Sequence, residues 1–202
     1  AVVSVKQDCR MMKGCVIQNL RCIYAALCCF QVACVGPKDD DTGSEPPVKQ
    51  IVRVMTWNVQ SLGTRNSSQY LAALDIVRRL EPDVLALNEI EDFEVGALNT
   101  LATELNYVDV FVPDSNPFGS LRNAVISKYP LVAKTAHTSA GLSGDSRAND
   151  MTRLPVEVRV DIPNLRSDLV VISQHWKAGA SSDDGFRRSV DGQRMGQVAS
   201  RW

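Results

Sequence analysis

Hydrophobic and polar positions divide the chain from residue 51 onward into short strands and helices. Ile51–Val59 is rich in β-branched and aromatic residues, which predicts a first strand ending at Asn58, and a polar loop with Gly63 fills 60–66. Ser67 or Ser68 offers an N-cap. Tyr70, Leu71, Leu74, Val77 and Leu80 then recur at helical spacing, with Asp75, Arg78 and Arg79 on the other face, and Pro82 stops the run. In Asp83–Ile90 four uninterrupted apolar residues lead into Asn88 and Glu89, the pattern of a strand buried on both faces that ends in an acid. Leu98, Leu101, Ala102 and Leu105 mark a second helix with Gly96 as its weak point, and 107–112 reads as a strand.

The second half continues in the same style. Pro113–Ser120 is a loop, Asn123–Ser127 a strand and Lys128–Pro130 a turn, so Leu131–His137 is expected to return as the second strand of a hairpin. Residues 138–150 are polar, as in a surface loop. Val156, Val158 and Val160 alternate with Glu157 and Arg159, which predicts a strand with one wet face, and Leu169–Ser173 is a second fully apolar strand running into Gln174 and His175. Helical spacing resumes at Phe186, Val190, Arg194, Val198 and Trp202. Strands alternating with helices argue an α/β layered domain.

The first fifty residues differ in kind. Cys22–Gly36 carries no charge and follows Lys13 and Arg21, a basic region before an apolar run shorter than the roughly 20 residues that span a bilayer. Residues 1–34 therefore read as an export signal, and a start at Met11 or Met12 would make 1–10 an over-extended reading frame. Val32-Ala33-Cys34 resembles the lipobox of bacterial lipoproteins, with Gln31 where that pattern prefers leucine, so Cys34 is the expected lipidation site. The competing readings are a plain cleaved signal and a short uncleaved anchor. Either route gives an extracytoplasmic protein, secreted or lipid-anchored to a bacterial envelope. Residues 35–50, with three aspartates in a row and three prolines, cannot bury a core and read as a disordered linker.

Composition narrows the chemistry. All six cysteines precede residue 35, so the folded part has neither disulfides nor a thiolate zinc site. Six basic residues face five acidic ones in the first fifty positions and sixteen face eighteen in the rest, which gives no net basic footprint for non-specific nucleic-acid binding. Three strands end in Asn58, Glu89 and His175, and ligands gather outside the carboxyl ends of strands in open α/β sheets. Oxygen donors without cysteine favour Mg²⁺, Mn²⁺ or Ca²⁺. A histidine beside such a cation suits hydrolysis of a phosphate ester. Each residue also has a plainer role: Glu89 as a solvated or arginine-paired carboxylate, Asn58 as a turn former, Arg153 as a rim charge, and His175 and His137 as structural histidines.

Five blocks taken in order carry a family resemblance. Arg53–Val59, Pro82–Asp92, Asn123–Leu131, Arg153-Leu154-Pro155 and His175-Trp176-Lys177 resemble the endonuclease/exonuclease/phosphatase superfamily, the deoxyribonuclease-I-like fold. The resemblance implies part of a four-layer α-β-β-α sandwich over 51–202, two mixed β-sheets flanked by helices with the C-terminal part missing. It implies Glu89 as divalent-metal ligand, Asn58 as its companion at metal and phosphate, His175 at the scissile phosphate or as acid, and Arg153 as phosphate support. Asn88 stands where the family usually has glutamine. The resemblance places the family's Asp-x-Asn and terminal Asp-His motifs beyond residue 202, outside this sequence, so the chain is expected to be an inactive fragment, unstable alone. The implied activity is metal-dependent phosphodiester hydrolysis with nucleic acid as partner. The alternatives are a phospholipid or inositol-phosphate phosphatase of the same fold, and a non-catalytic surface-displayed binding module.

Overall fold

The computed structural model describes residues 2–6, 28–34, 51–116, 119–138, 153–165 and 167–202, the first two segments by backbone alone. Strands are β1 (Val2–Lys6), β2 (Cys28–Cys34), β3 (Ile51–Asn58), β4 (Val84–Ile90), β5 (Asp109–Phe111), β6 (Arg122–Ser127), β7 (Leu131–Ala136), β8 (Val156–Val160) and β9 (Leu169–His175). Helices are α1 (Ser68–Leu80), α2 (Val95–Glu104) and α3 (Ser182–Ala199), and a 3₁₀ turn at Asp92–Glu94 precedes α2. No helix among the described residues is long and apolar enough to cross a membrane.

Two sheets form, ordered β1-β3-β4-β6-β5 and β2-β9-β8-β7. The first is mixed, since β3 and β4 run parallel with Asn58 opposite Asn88. The second is antiparallel throughout its described strands, where a mixed sheet was expected. Side-chain alternation explains how the layers stack. On β4, Leu85 and Leu87 join Tyr70, Val77, Leu98 and Leu101 of α1 and α2 in one core, while Val84 and Ala86 join Val156, Val158, Leu169 and Val171 in a second core between the sheets. On β9, Val170 and Ile172 point the other way, onto Met195 and Val198 of α3. The layers are therefore helices, sheet, sheet, helix. Both unbroken apolar runs of the sequence belong to strands buried on two faces.

Two expectations are corrected. The hairpin of β6 with β7 does not form, because both edges of β6 are taken, by β4 and by β5. The turn after β6 instead carries the chain across to the second sheet, where β7 pairs with β8. Hydrogen bonds fix that crossing: Lys128 N donates to Asp83 O at 2.8 Å, and Leu131 N to Asp109 Oδ2 at 3.0 Å. The outer face of β8 is only partly wet, since Arg159 stays partly exposed while Glu157 does not. Glu157 is buried against His137, with Nε2 to Oε2 at 2.9 Å, so His137 has a carboxylate beside it and serves in a structural pair.

Helix starts move as well. α3 begins at Ser182, four residues before the apolar spacing, because Ser181 and Asp184 form a reciprocal capping box. At the N-terminus, β1 lies antiparallel on β3 and β2 on β9, with Cys34 opposite Leu169. Most of the export signal, the whole linker and residues 139–150 of the polar loop lie outside the described residues. Export and lipidation at Cys34 stay proposals about processing.

Candidate active site

A buried polar bridge sets the geometry where the two sheets meet. Asn88 Nδ2 donates to Asn123 Oδ1 at 2.7 Å and to Ser173 Oγ at 3.3 Å, joining β4 to β6 and to β9 of the facing sheet. Ser173 Oγ donates to Leu87 O at 3.1 Å, and Asn123 Nδ2 to Leu154 O at 3.0 Å. All three side chains are buried, so each bond is protected from competition by water. Asn88 makes the contacts to Asn123 and Ser173 directly.

The residue after Asn88 leaves the regular strand. Between Leu87 and Ile90 the pairing of β4 with β6 shifts by one residue, and Glu89 has φ 62, in the left-handed region. A bulge of this kind re-aims a side chain at a sheet's rim, and an L-residue held there is strained by about 1–3 kcal/mol. Glu89 Oε1 comes within 3.5 Å of His175 Nδ1 on the opposite sheet. The His175 ring is buried, and neither of its nitrogens has a hydrogen-bond partner among the described residues. Burial pushes its pKa below the ordinary histidine value; the Arg153 guanidinium adds to that shift and Glu89 opposes it. The shift favours the uncharged imidazole, in which one nitrogen donates and the other accepts.

Arg153 is half-buried and lines a small cavity together with His175, Gln174, Trp176 and Asp191. Asp191, from α3, has its carboxyl pushed up by burial, against the pull of Arg194 and Arg187. Asn58 stands at the end of β3, level with Asn88, but its Oδ1 accepts from Gln60 N at 3.0 Å. The turn-forming role weighed for it is thus present, and no bond joins it to Glu89 or His175. The structure therefore places His175 beside Glu89 on one side and beside Arg153 at the small cavity on the other, and places Asn58 on the neighbouring strand end.

Sequence reasoning missed three supporting residues. Asn123 and Ser173 are polar positions within apolar strands, a pattern that signals a partner across the sheets. Glu94 is the third. It is fully buried, and its Oε1 accepts from Ser61 Oγ at 2.5 Å and Gly63 N at 2.6 Å, its Oε2 from Glu91 N at 2.9 Å. Burial pushes this carboxyl up, yet the bonds from Ser61 and from backbone N–H groups outweigh it and hold the pKa below the ordinary value. No group of three or more His, Cys, Asp or Glu side chains placed to hold a metal occurs among the described residues.

Residues 55–191 match the model of the endonuclease/exonuclease/phosphatase family. No curated protein matches the chain. Among solved structures, the endonuclease/exonuclease/phosphatase from Beutenbergia cavernae DSM 12333 is similar at 21% identity and TM-score 0.55, over 69% of this chain and 42% of that one. ANGEL2, a 2′,3′-cyclic phosphatase, is similar at 17% identity and TM-score 0.44, over 54% of this chain and 36% of that one. The chain thus spans about two fifths of the length of these structures. The Beutenbergia likeness agrees with the layered sandwich.

Proposed function

The chain belongs to the endonuclease/exonuclease/phosphatase family, and we propose that it carries one side of a phosphodiester-hydrolysing site centred on Glu89 and His175. The observation that supports this reading is the left-handed bulge at Glu89, a strained backbone that holds a carboxylate 3.5 Å from a buried imidazole with no hydrogen-bond partner among the described residues.

The donor set fits a hard cation. Mg²⁺ retains several waters and takes one or two carboxylates besides substrate oxygens, so Glu89, with the second lone pair of Asn58 Oδ1, suffices as the protein's share from these residues. Such a cation, when bound, polarises a phosphoryl oxygen. The chain's own residues do the rest. Neutral His175 donates its ring N–H to a phosphoryl oxygen, and burial keeps water from competing for that bond. Arg153, which shares a small cavity with His175, adds a positive charge on that residue's side of the site and favours the negative charge that grows as the phosphate is attacked. The Asn88–Asn123–Ser173 bridge keeps β4 and β9 in register, and with them Glu89 and His175. Nucleic acid is the proposed substrate.

The test assays the whole protein with Mg²⁺ on DNA, RNA and sphingomyelin in parallel. Nucleic acid is expected to be cleaved, cleavage to stop on chelation, and Glu89→Gln to lower turnover by about 10²–10³-fold or more. Undiminished turnover in Glu89→Gln removes Glu89 from the mechanism. Hydrolysis of sphingomyelin alone transfers the proposal to phospholipids.

A further inference from the structure

The two carboxylate oxygens of Glu94 are divided between the two segments that carry the candidate ligands. Oε1 holds the loop that follows Asn58, through Ser61 Oγ and Gly63 N, while Oε2 holds the turn that follows Glu89, through Glu91 N. We propose that Glu94 is a positioning residue: a buried anionic clamp that sets the separation of Asn58 and Glu89. The proposal rests on the site described above and adds a residue that never touches substrate.

Three features make the clamp specific. First, both partner segments bend sharply, with Gln60 and Gly63 at φ 59 and 75 and Glu89 at φ 62, so neither is held by regular strand pairing. Second, the donor position at 63 admits only glycine: φ is 75, and a Cβ there would lie 2.3 Å from Ser67 Oγ, the side chain that caps α1. Third, the carboxylate has no solvent exposure, so its charge is balanced by N–H and O–H donors, to which the Leu62 backbone adds. Charge-assisted bonds of this kind are roughly twice as strong as neutral ones. A neutral amide at the same position keeps the volume, loses the charge, and turns an NH₂ toward donors.

Native-state hydrogen exchange on the chain, with no metal and no substrate, tests the clamp in Glu94→Gln and, separately, Ser61→Ala. The reporters are Val59 N, which donates to Asn88 O at 3.2 Å, and Gln60 N, which donates to Asn58 Oδ1; α1 amides report global stability. In Glu94→Gln the two reporters are expected to exchange about tenfold faster relative to α1, and in Ser61→Ala by a smaller factor in the same direction. Reporters that keep their wild-type ratio to α1 overturn the proposal. If Glu94→Gln does not fold, the Ser61→Ala ratio decides. Because the readout needs no turnover, failure here is distinct from failure of the phosphodiesterase reading. If both stand, Glu94→Gln lowers turnover by about 10–100-fold, the scale of a site displaced by a fraction of an ångström to 1 Å.

Discussion

Strain at Glu89 predicts an inverted order of stability between its glycine and alanine variants. In an extended strand Gly is worse than Ala by about 0.5–1 kcal/mol, because it has more backbone freedom to lose. Glu89 is at φ 62, where an L-residue pays about 1–2 kcal/mol and glycine pays almost nothing. The two terms oppose each other, and strain is the larger. Glu89→Gly should therefore be more stable than Glu89→Ala by about 0.5–1 kcal/mol. With a urea dependence of about 2 kcal/mol per M, the midpoints differ by about 0.3–0.5 M. Urea titration followed by tryptophan fluorescence, from Trp57, Trp176 and Trp202, resolves such a difference. Neither variant should turn over substrate, since both lack the carboxylate. Alanine equal to or above glycine would sink the claim that backbone strain is stored at this position.

The other two predictions concern supports of the fold. Asn88→Ala removes both bonds from Nδ2 and leaves Asn123 Oδ1 without a donor among the described residues, at a cost of about 2–4 kcal/mol by urea titration; Asn88→Gln, which keeps the amide but adds a methylene, should still lose about 1–3 kcal/mol through overpacking of a fully enclosed site. Asp109 holds the crossing between sheets; burial pushes its carboxyl up, but bonds from Lys134, Leu131 N and Val110 N, with the Lys134 charge, keep its pKa below 3.8. Its stabilisation is complete above 3.8 and fades as pH falls through the lower folded value, so Asp109→Asn should destabilise at pH 6 and flatten the stability curve below 3.8.

Strand positions were legible where burial alone determines pattern. Val84–Leu87 and Leu169–Ile172 read as doubly buried because each face meets an apolar layer, and that is visible in four consecutive residues. Partner choice was not legible. Asn123–Ser127 and Leu131–His137 look like a hairpin locally, and only the pairing of β4 and β5 with both edges of β6 forbids it. Glu157 looks solvated because the alternation V-E-V-R-V says nothing of His137, twenty residues earlier, which covers it. The bridge at Asn88 depends on partners 35 and 85 residues away, beyond the reach of any periodicity. Asn58, Glu89, Arg153 and His175 were found as residue types at strand ends and in family-like blocks, but their distances come only from sheet packing.

The spacing of apolar residues on β4 explains why the strain falls on Glu89. Leu85 and Leu87 face the helices, so strict alternation would send residue 89 into the same core beside Leu98 and Leu101. An ionised carboxylate buried there without partners would cost several kcal/mol. The sequence instead places the next helix-facing apolar residue at 90, and Ile90 does join that core. Leu87 pairs with Ala124 and Ile90 with Arg122, three steps on β4 against two on β6, so one residue must be absorbed. The bulge absorbs Glu89. Asn88 keeps its place in the bridge to Ser173, Ile90 returns to the helix-side core, and the carboxylate emerges toward His175 at a backbone cost smaller than that of burying it. The apolar beat at 85, 87 and 90, with an acid in the missed place, is thus the sequence's own record of a bulge that delivers a carboxylate to the interface of the two sheets.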